Sequence, residues 1–334
     1  MLRGLLEKLR ESNYESKLLR DFQYIFYIIR YVNNLVPSFL KIGMGTIFVV
    51  FIARGFINGI MIPYSISYVV EGLSSRERDM SLFYKALYMF AAAGVIFGVT
   101  EIAQMIYFKR LTRSIVKLKL IMLGRISREK SLGEDEIDNI VGKIANDVDF
   151  IVWNINGVIT TLLPNLFTST LSVVAVYTFN TMIGVSVLIT LLPYIVYAEF
   201  YSRNIEKPRV DERTYYAKSI VYIKRLVFGE RVNGDISNVL SEWNRSVDKI
   251  LWLDRVYWTL SLSTASLSMI YVSLLSWREV NENRLSLGSL AGLLSAALGS
   301  HFSMINAVWA LCVQGQTVAT IKRVIRELEV VTRR

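Results

Sequence analysis

The ionisable side chains inside long apolar stretches are the residues of this sequence best suited to chemistry. Arg54, Glu101 and His301 are of this kind, and Asn306 follows His301 by just over one helical turn. Ionisable groups inside a membrane are costly and usually face a pore, a cavity or a partner group. We therefore treat these four residues as candidates for an intramembrane polar site.

Several interpretations of these residues stand side by side. We expect Arg54 and Glu101 to be offset by about two helical turns, roughly 11 Å, which long side chains would have to span. They fit a structural ion pair, a substrate-facing pair or two separate groups. His301 fits either helix packing or the lining of a cavity, and it is the group of this stretch that would titrate near neutrality.

The rest of the composition argues against an enzyme. One cysteine (Cys312) and one histidine exclude a disulfide framework, a cysteine-based metal site and a histidine cluster. The sequence shows neither paired carboxylates nor a nucleophile motif. We expect no catalytic residue, metal site or bound cofactor in this chain.

Apolar residues make up 53% of the 334 positions, and they occur in long runs. A soluble domain averages about 45–50%. A membrane-spanning helix needs roughly 20 mostly apolar residues. The sequence thus predicts an all-α polytopic membrane protein with six spans, near Phe39–Val70, Leu82–Phe108, Ile155–Tyr177, Met182–Tyr201, Val256–Trp277 and Gly288–Val313.

The basic residues orient these spans. With the N-terminus inside, 31 of the 38 Lys and Arg residues lie on the cytoplasmic side. This asymmetry predicts a cell-membrane protein with both termini in the cytoplasm. Topology and contact with anionic lipid then account for most of the net charge of +10, which on a soluble protein would suggest nucleic acid. Only four glutamines occur, which is typical of a thermophilic source.

The long connections all fall on the cytoplasmic side. Residues 109–155 and 202–255 have apolar residues at helical spacing, which predicts helical hairpins that continue the spans into the cytoplasm. Residues 1–38 contain an aromatic and basic segment, which predicts either an interfacial amphipathic (elbow) helix or an ordinary packed helix. Residues 314–334 form a cytoplasmic tail.

Three short stretches carry a family resemblance. Ile140–Ile151, with Asn146-Asp147-Val148-Asp149, resembles the LVSRLTNDVDRI stretch of ABC exporters, the type IV ABC transporters. Leu285–Leu290 is similar to the LTLGxL that opens their sixth span. Thr317–Val324 resembles their AxxAxxRI. The similarity covers about residues 20–330, although Asp138 replaces a family glycine and Phe228-Gly229-Glu230 matches the family only loosely.

The resemblance implies a transmembrane domain without its motor. The sequence has no G-x-x-x-x-G-K-[ST] and no LSGGQ, so we expect ATP and Mg²⁺ to bind a separate cytoplasmic ATPase. The resemblance further implies a second transmembrane subunit, either identical or homologous. It also implies coupling helices at the hairpin tips, near Ile126–Glu134 and Arg209–Ser219. The residues that would dock the ATPase there are Arg128, Glu129, Lys130, Arg213, Tyr215 and Tyr216; the alternative is solvated, charged loops.

The expected function follows from this. The chain would couple ATP hydrolysis by its partner to substrate translocation by alternating access, in contact with membrane lipid. The alternative is a channel or scaffold subunit of a protein- or DNA-translocation machine with a different ATPase, and nucleic acid is an expected partner only there. A receptor or enzyme without a motor is the third, weaker interpretation.

Overall fold

The computed structural model describes residue 17 and residues 38–74, 79–126, 149–150, 153–154, 156–229 and 236–333. Every element within these ranges is helical. Six helical stretches are long and apolar enough to cross a membrane. The prediction of an all-α chain with six potential spans is therefore confirmed in the number, length and composition of its helices.

Eight α-helices and two π-helical turns build these spans. The helices are α1 (Ser38–Phe56), α2 (Ile62–Ser74), α3 (Met80–Ile126), α4 (Leu163–Phe179), α5 (Thr181–Thr190), α6 (Leu192–Val227), α7 (Ile236–Asn281) and α8 (Leu287–Arg333). A π-helical turn over Ile57–Met61 joins α1 to α2, and another over Val158–Leu162 precedes α4.

Both π-helical turns come directly before a proline. Pro63 is the second residue of α2, and Pro164 is the second residue of α4. A proline has no N–H to give to the carbonyl four residues earlier. At each site the residue before the proline instead donates to a carbonyl five residues back: Ile62 to Ile57 and Leu163 to Val158. The wider π-helical turn thus provides hydrogen bonds for backbone groups next to each proline.

Four helices are much longer than a membrane crossing requires. Helices α3, α6, α7 and α8 contain 47, 36, 46 and 47 residues. At 1.5 Å per residue, α3 is about 70 Å long, against roughly 30 Å for a hydrocarbon core. The predicted continuation of helix far beyond the apolar spans is present in α3, α6 and α7. Helix α8 also continues to Arg333, which was not predicted. Residues 127–148 of the predicted first hairpin lie outside the described ranges.

At the opposite end of the bundle the connections are short and capped. Asp79, Asn180 and Ser286 precede α3, α5 and α8, and each side-chain oxygen accepts a first-turn backbone N–H at 2.9, 3.1 and 3.1 Å. Such caps satisfy amides that have no intrahelical partner. The hydrogen bond from Ser81 and the backbone amides of this cap lower the pKa of Asp79 below its usual value.

The sixth span is the centre of the packing. It is the most buried of the six, and α8 packs on α2, α4, α6 and α7. One apolar cluster joins α6, α7 and α8 around Tyr194, Tyr201, Tyr257 and Ile305. The second span is the least buried, so most of the surface of α3 is free to meet lipid or another chain.

Candidate functional site

An ion pair joins the first and second spans inside the apolar region. Arg54 lies in the last turn of α1, and its Nη1 donates to Glu101 Oε1 of α3 at 2.6 Å. The guanidinium also lies 5.3 Å from the ring centroid of Phe97, one helical turn before Glu101 on the same face. The two side chains therefore meet directly, which favours the pair interpretations over two separate groups.

The surroundings of this pair are unusual for a membrane interior. In the isolated chain the side chain of Glu101 is 57% exposed and that of Arg54 is 33% exposed. A charge facing hydrocarbon is strongly disfavoured, so such groups face a bundle interior or a water-filled cavity. The exposed side of this pair must therefore meet water or another protein surface when the chain is in a membrane.

His301 has a different environment. It is fully buried in α8, and its Nδ1 lies 3.0 Å from the hydroxyl of Tyr194. Its Nε2 lies 3.4 Å from the hydroxyl of Thr190, which itself donates to the carbonyl of Val187 at 2.8 Å. A neutral ring that donates from Nε2 to Thr190 and accepts at Nδ1 from Tyr194 satisfies both nitrogens. This geometry favours helix packing over the lining of a cavity.

Asn306 does not join His301. Its side chain is exposed, whereas His301 is enclosed by α5, α6 and α8. The four intramembrane candidates therefore separate into one ion pair, one buried histidine and one surface amide. Only the Arg54–Glu101 pair brings two candidates together.

A second polar cluster ties the two long hairpins to each other. Lys119 of α3 forms an ion pair of 2.6 Å with Asp149, the last residue of the Asn-Asp-Val-Asp stretch. The next residue, Phe150, lies against two guanidinium groups of α6, with 5.1 Å to Arg209 and 4.7 Å to Arg213. Residues 149–150 thus hold α3 and α6 together where both extend past the apolar spans.

One carboxylate partly balances these two arginines. Glu212 lies 3.1 Å from Arg209 Nη1 and 3.4 Å from Arg213 Nε. The side chain of Arg213 is only 17% exposed. Arg213 therefore packs within the hairpin junction, where only a small part of its side chain is exposed.

The predicted second hairpin tip is in the wrong place. Residues 209–219 lie inside α6, which continues without interruption to Val227. Tyr215 is half-buried, and Tyr216 is 40% exposed and packs near Trp243 of α7 at 6.3 Å between ring centroids. The other predicted docking residues, Arg128, Glu129 and Lys130, and the segment 126–134 apart from Ile126, lie outside the described residues.

The described end of the second hairpin lies eight residues after Ser219, the last residue of the predicted tip. Helix α6 ends at Val227, and Gly229 has a positive φ of 72°, which suits a glycine after a helix C-terminus. The side chains of Leu226, Val227 and Phe228 are 53%, 76% and 70% exposed. We call Leu226–Phe228 the hairpin tip. It presents apolar side chains about 25 residues beyond the predicted end of the fourth span.

The sequence analysis missed a carboxylate that joins the first and sixth spans. Glu71 Oε2 accepts hydrogen bonds from the Ser286 hydroxyl at 2.6 Å and from the Gly288 backbone N–H at 3.2 Å. A carboxylate at a helix N-terminus is favoured by the unpaired amides and the helix dipole. The Ser286–Gly288 start of α8 carried a cap signal, but the distance of 215 residues to Glu71 in the sequence hid the partner.

A close crossing of the first and third spans was also missed. Gly55 and Gly59 form a G-x-x-x-G pattern, and both face α4. A Cβ on Gly59 would lie 2.8 Å from the Leu171 Cβ and 3.0 Å from the Thr168 carbonyl oxygen. This pattern is a known signal for close helix approach in membranes, so the sequence did contain it.

Comparison with known proteins assigns no family to this chain. No protein-family model matches the chain, and no curated protein matches it. Within the described residues, no group of three His, Cys, Asp or Glu side chains converges on a point where a metal ion could bind. The functional argument therefore depends on the helices, the intramembrane ion pair, the hairpin junction and the hairpin tip.

Proposed function

We propose that this chain is the transmembrane subunit of an ABC-exporter-type transporter. A separate cytoplasmic ATPase would bind the far ends of the long hairpins, and its ATP-driven motion would drive alternating access. The observation that carries the proposal is the continuous helix of α3, α6 and α7 from the apolar spans to regions far beyond them. A rigid helix of this length can transmit displacement at one end to the other.

The hairpin junction supports this function mechanically. The contacts of Asp149 with Lys119 and of Phe150 with Arg209 and Arg213 connect the two hairpins within one chain. A force applied at the end of one hairpin is therefore shared with the other. Since interlocked helices move as rigid bodies, the junction favours a concerted movement of α3 and α6.

The exposed intramembrane pair supports a second transmembrane subunit. Glu101 is more than half exposed on the least buried span of the isolated chain. A second copy or a homologue facing α1 and α3 would enclose this pair in a cavity or an interface. Transport would then take place between the two subunits, in line with the family that the sequence resembles.

The hairpin tip is the proposed contact with the ATPase. Leu226, Val227 and Phe228 are exposed, and Lys224 and Arg225 of the last turn of α6 flank them. Apolar anchors within a charged rim are typical of interfaces in which a few residues supply most of the binding energy. This assignment replaces the docking site first expected at residues 209–219.

Replacing Val227 and Phe228 together by aspartate should release the ATPase. Two carboxylates in an apolar pocket of the partner would remain without ion-pair partners, so we expect at least a tenfold loss of co-purified ATPase. The measurement is capture of the tagged full chain from its own membranes, followed by mass spectrometry and ATP hydrolysis in the eluate.

Tyr216→Ala is the matched control on the same helix, about three turns before the tip. It should retain the ATPase, and a loss in this variant with retention in the tip variant would return docking to residues 209–219. A captured ATPase of the ring-forming translocation type, in place of an ABC ATPase, would refute the exporter and favour the translocation-machine alternative.

A further inference from the structure

An apolar cleft, with Lys85 among its lining residues, lies between the first two spans near the end where α3 begins. Its volume is about 550 Å³, within the range of small-molecule sites. Met61 lines it from the first π-helical turn, and α3 lines it with side chains three or four residues apart, including Tyr84, Tyr88 and Ala92. This spacing places the α3 residues on one helical face.

Lys85 supplies the charge at this cleft. Its Nζ lies 4.5 Å from the ring centroid of Tyr68 on α2 and 3.4 Å from the Tyr68 hydroxyl. Among the described residues, no carboxylate pairs with Lys85. The ammonium group is therefore stabilised by an aromatic face, and no carboxylate in the described part of the chain neutralises it.

The depth of the cleft fits the boundary between headgroups and hydrocarbon. Lys85 lies five residues after the start of α3, which is about 7.5 Å along the helix. Tyr84 and Tyr88 are 52% and 74% exposed beside it. Tyrosine is enriched at membrane interfaces, and a lysine at this level reaches the headgroup region.

We propose that this cleft binds an anionic phospholipid from the surrounding leaflet. One acyl chain would lie along Met61, Tyr88 and Ala92, and the phosphate would pair with Lys85. An amphiphile is favoured over a soluble anion because the lining is almost entirely apolar, and an anionic headgroup is favoured over a zwitterionic one because Lys85 has no described carboxylate partner. This proposal does not depend on the transport function.

Lys85→Gln should reduce the preference of the purified full chain for phosphatidylglycerol over phosphatidylcholine of the same acyl chains. We expect about a fivefold fall in the ratio of the two dissociation constants, which corresponds to about 1 kcal/mol for one basic residue near a lipid headgroup. Native mass spectrometry of the protein titrated with each lipid gives both constants. Lys85→Arg should retain the preference, which separates lost charge from lost folding.

Three comparisons make the assignment specific. Ala92→Trp should fill the apolar part of the cleft and weaken the binding of both lipids. Lys218→Gln removes an exposed lysine of α6, 17 residues past the predicted end of the fourth span and so about 25 Å beyond it, and should leave the preference unchanged. Glycerol phosphate, an anion without acyl chains, should not compete. An unchanged preference in Lys85→Gln, or an equal fall in Lys218→Gln, would overturn the proposal.

Discussion

Replacing Glu101 by glutamine is expected to destabilise the folded chain strongly, because it leaves the Arg54 guanidinium without its carboxylate inside an apolar span. The 2.6 Å contact between Arg54 and Glu101 is then lost. The cost of an unpaired arginine near the centre of a membrane helix is about 2.5–3.5 kcal/mol on insertion scales. Unfolding of the purified protein in lipid nanodiscs, followed by helical circular dichroism, measures this change. Arg54→Met should have a comparable cost, because it leaves the Glu101 carboxylate unpaired.

A charge-reversed double variant tests whether loss of the ion pair causes the loss of stability. The exchange Arg54→Glu with Glu101→Arg should regain most of the stability, since it restores the pair with reversed polarity. Glu242→Gln breaks an exposed ion pair with Arg245 on α7, outside the predicted fifth span, and should change stability little. If the two single variants at Arg54 and Glu101 are as stable as the original chain, then the pair is not what balances these charges in the membrane.

The same variants separate the two remaining interpretations of the pair. A structural pair predicts that the charge-reversed double variant transports normally once it is stable. A substrate-facing pair predicts a stable but inactive double variant, because the position of each charge relative to the substrate is reversed. Transport in vesicles, normalised to folded protein, distinguishes these outcomes.

The number and nature of the spans could be predicted from the sequence, because apolar length is a property of each segment by itself. The axial position of one helix relative to another could not be predicted in this way. The sequence left open whether Arg54 and Glu101 meet, because the first span contains a π-helical turn at Ile57–Met61 and axial shifts between helices are set by packing. Direct contact between the two residues therefore depends on the tertiary packing of the helices.

The predicted position of the second hairpin tip differs from the structure for another reason. Pro208 weakens a helix prediction at that point, and the family resemblance also placed a coupling helix immediately after it. Helix α6 nevertheless continues through Pro208 and ends just before Gly229. The sequence did carry the correct signal, because Lys224 and Arg225 in a last turn followed by a glycine are typical of a helix C-terminus. Local stop signals were more informative here than position within a family pattern.

The contacts of His301 and Glu71 belong to a third group. Each depends on a residue more than 100 positions away, Tyr194 for His301 and Ser286 for Glu71. The position of His301 inside a predicted span indicated that a partner exists, but not which helix provides it. Glu71 follows the predicted end of the first span at Val70, and its contact with Ser286 was missed. In both residues the partner required the packed bundle.

Gly59→Ala is expected to disrupt the crossing of the first and third spans. The added Cβ would lie 2.8 Å from the Leu171 Cβ, 3.0 Å from the Thr168 carbonyl oxygen and 3.2 Å from the Ser172 backbone nitrogen. Two of these three atoms are backbone, so no side-chain rotation relieves the overlap, and α4 would have to move away. Overpacking of this kind costs about 1–3 kcal/mol. We expect a value near 3 kcal/mol, because the contact is helix backbone against helix backbone.

Gly94→Ala is the matched control for this effect. Gly94 lies on the exposed face of α3, and an added Cβ there meets nothing within 4 Å. The same change should therefore be neutral or slightly stabilising, since alanine favours helix over glycine by up to about 1 kcal/mol. Equal unfolding free energies for the two variants would show that the first and third spans do not cross closely at Gly59. If only Gly59→Ala is destabilised, then the first and third spans move as a closely packed pair, and any opening of the bundle must occur between other helices.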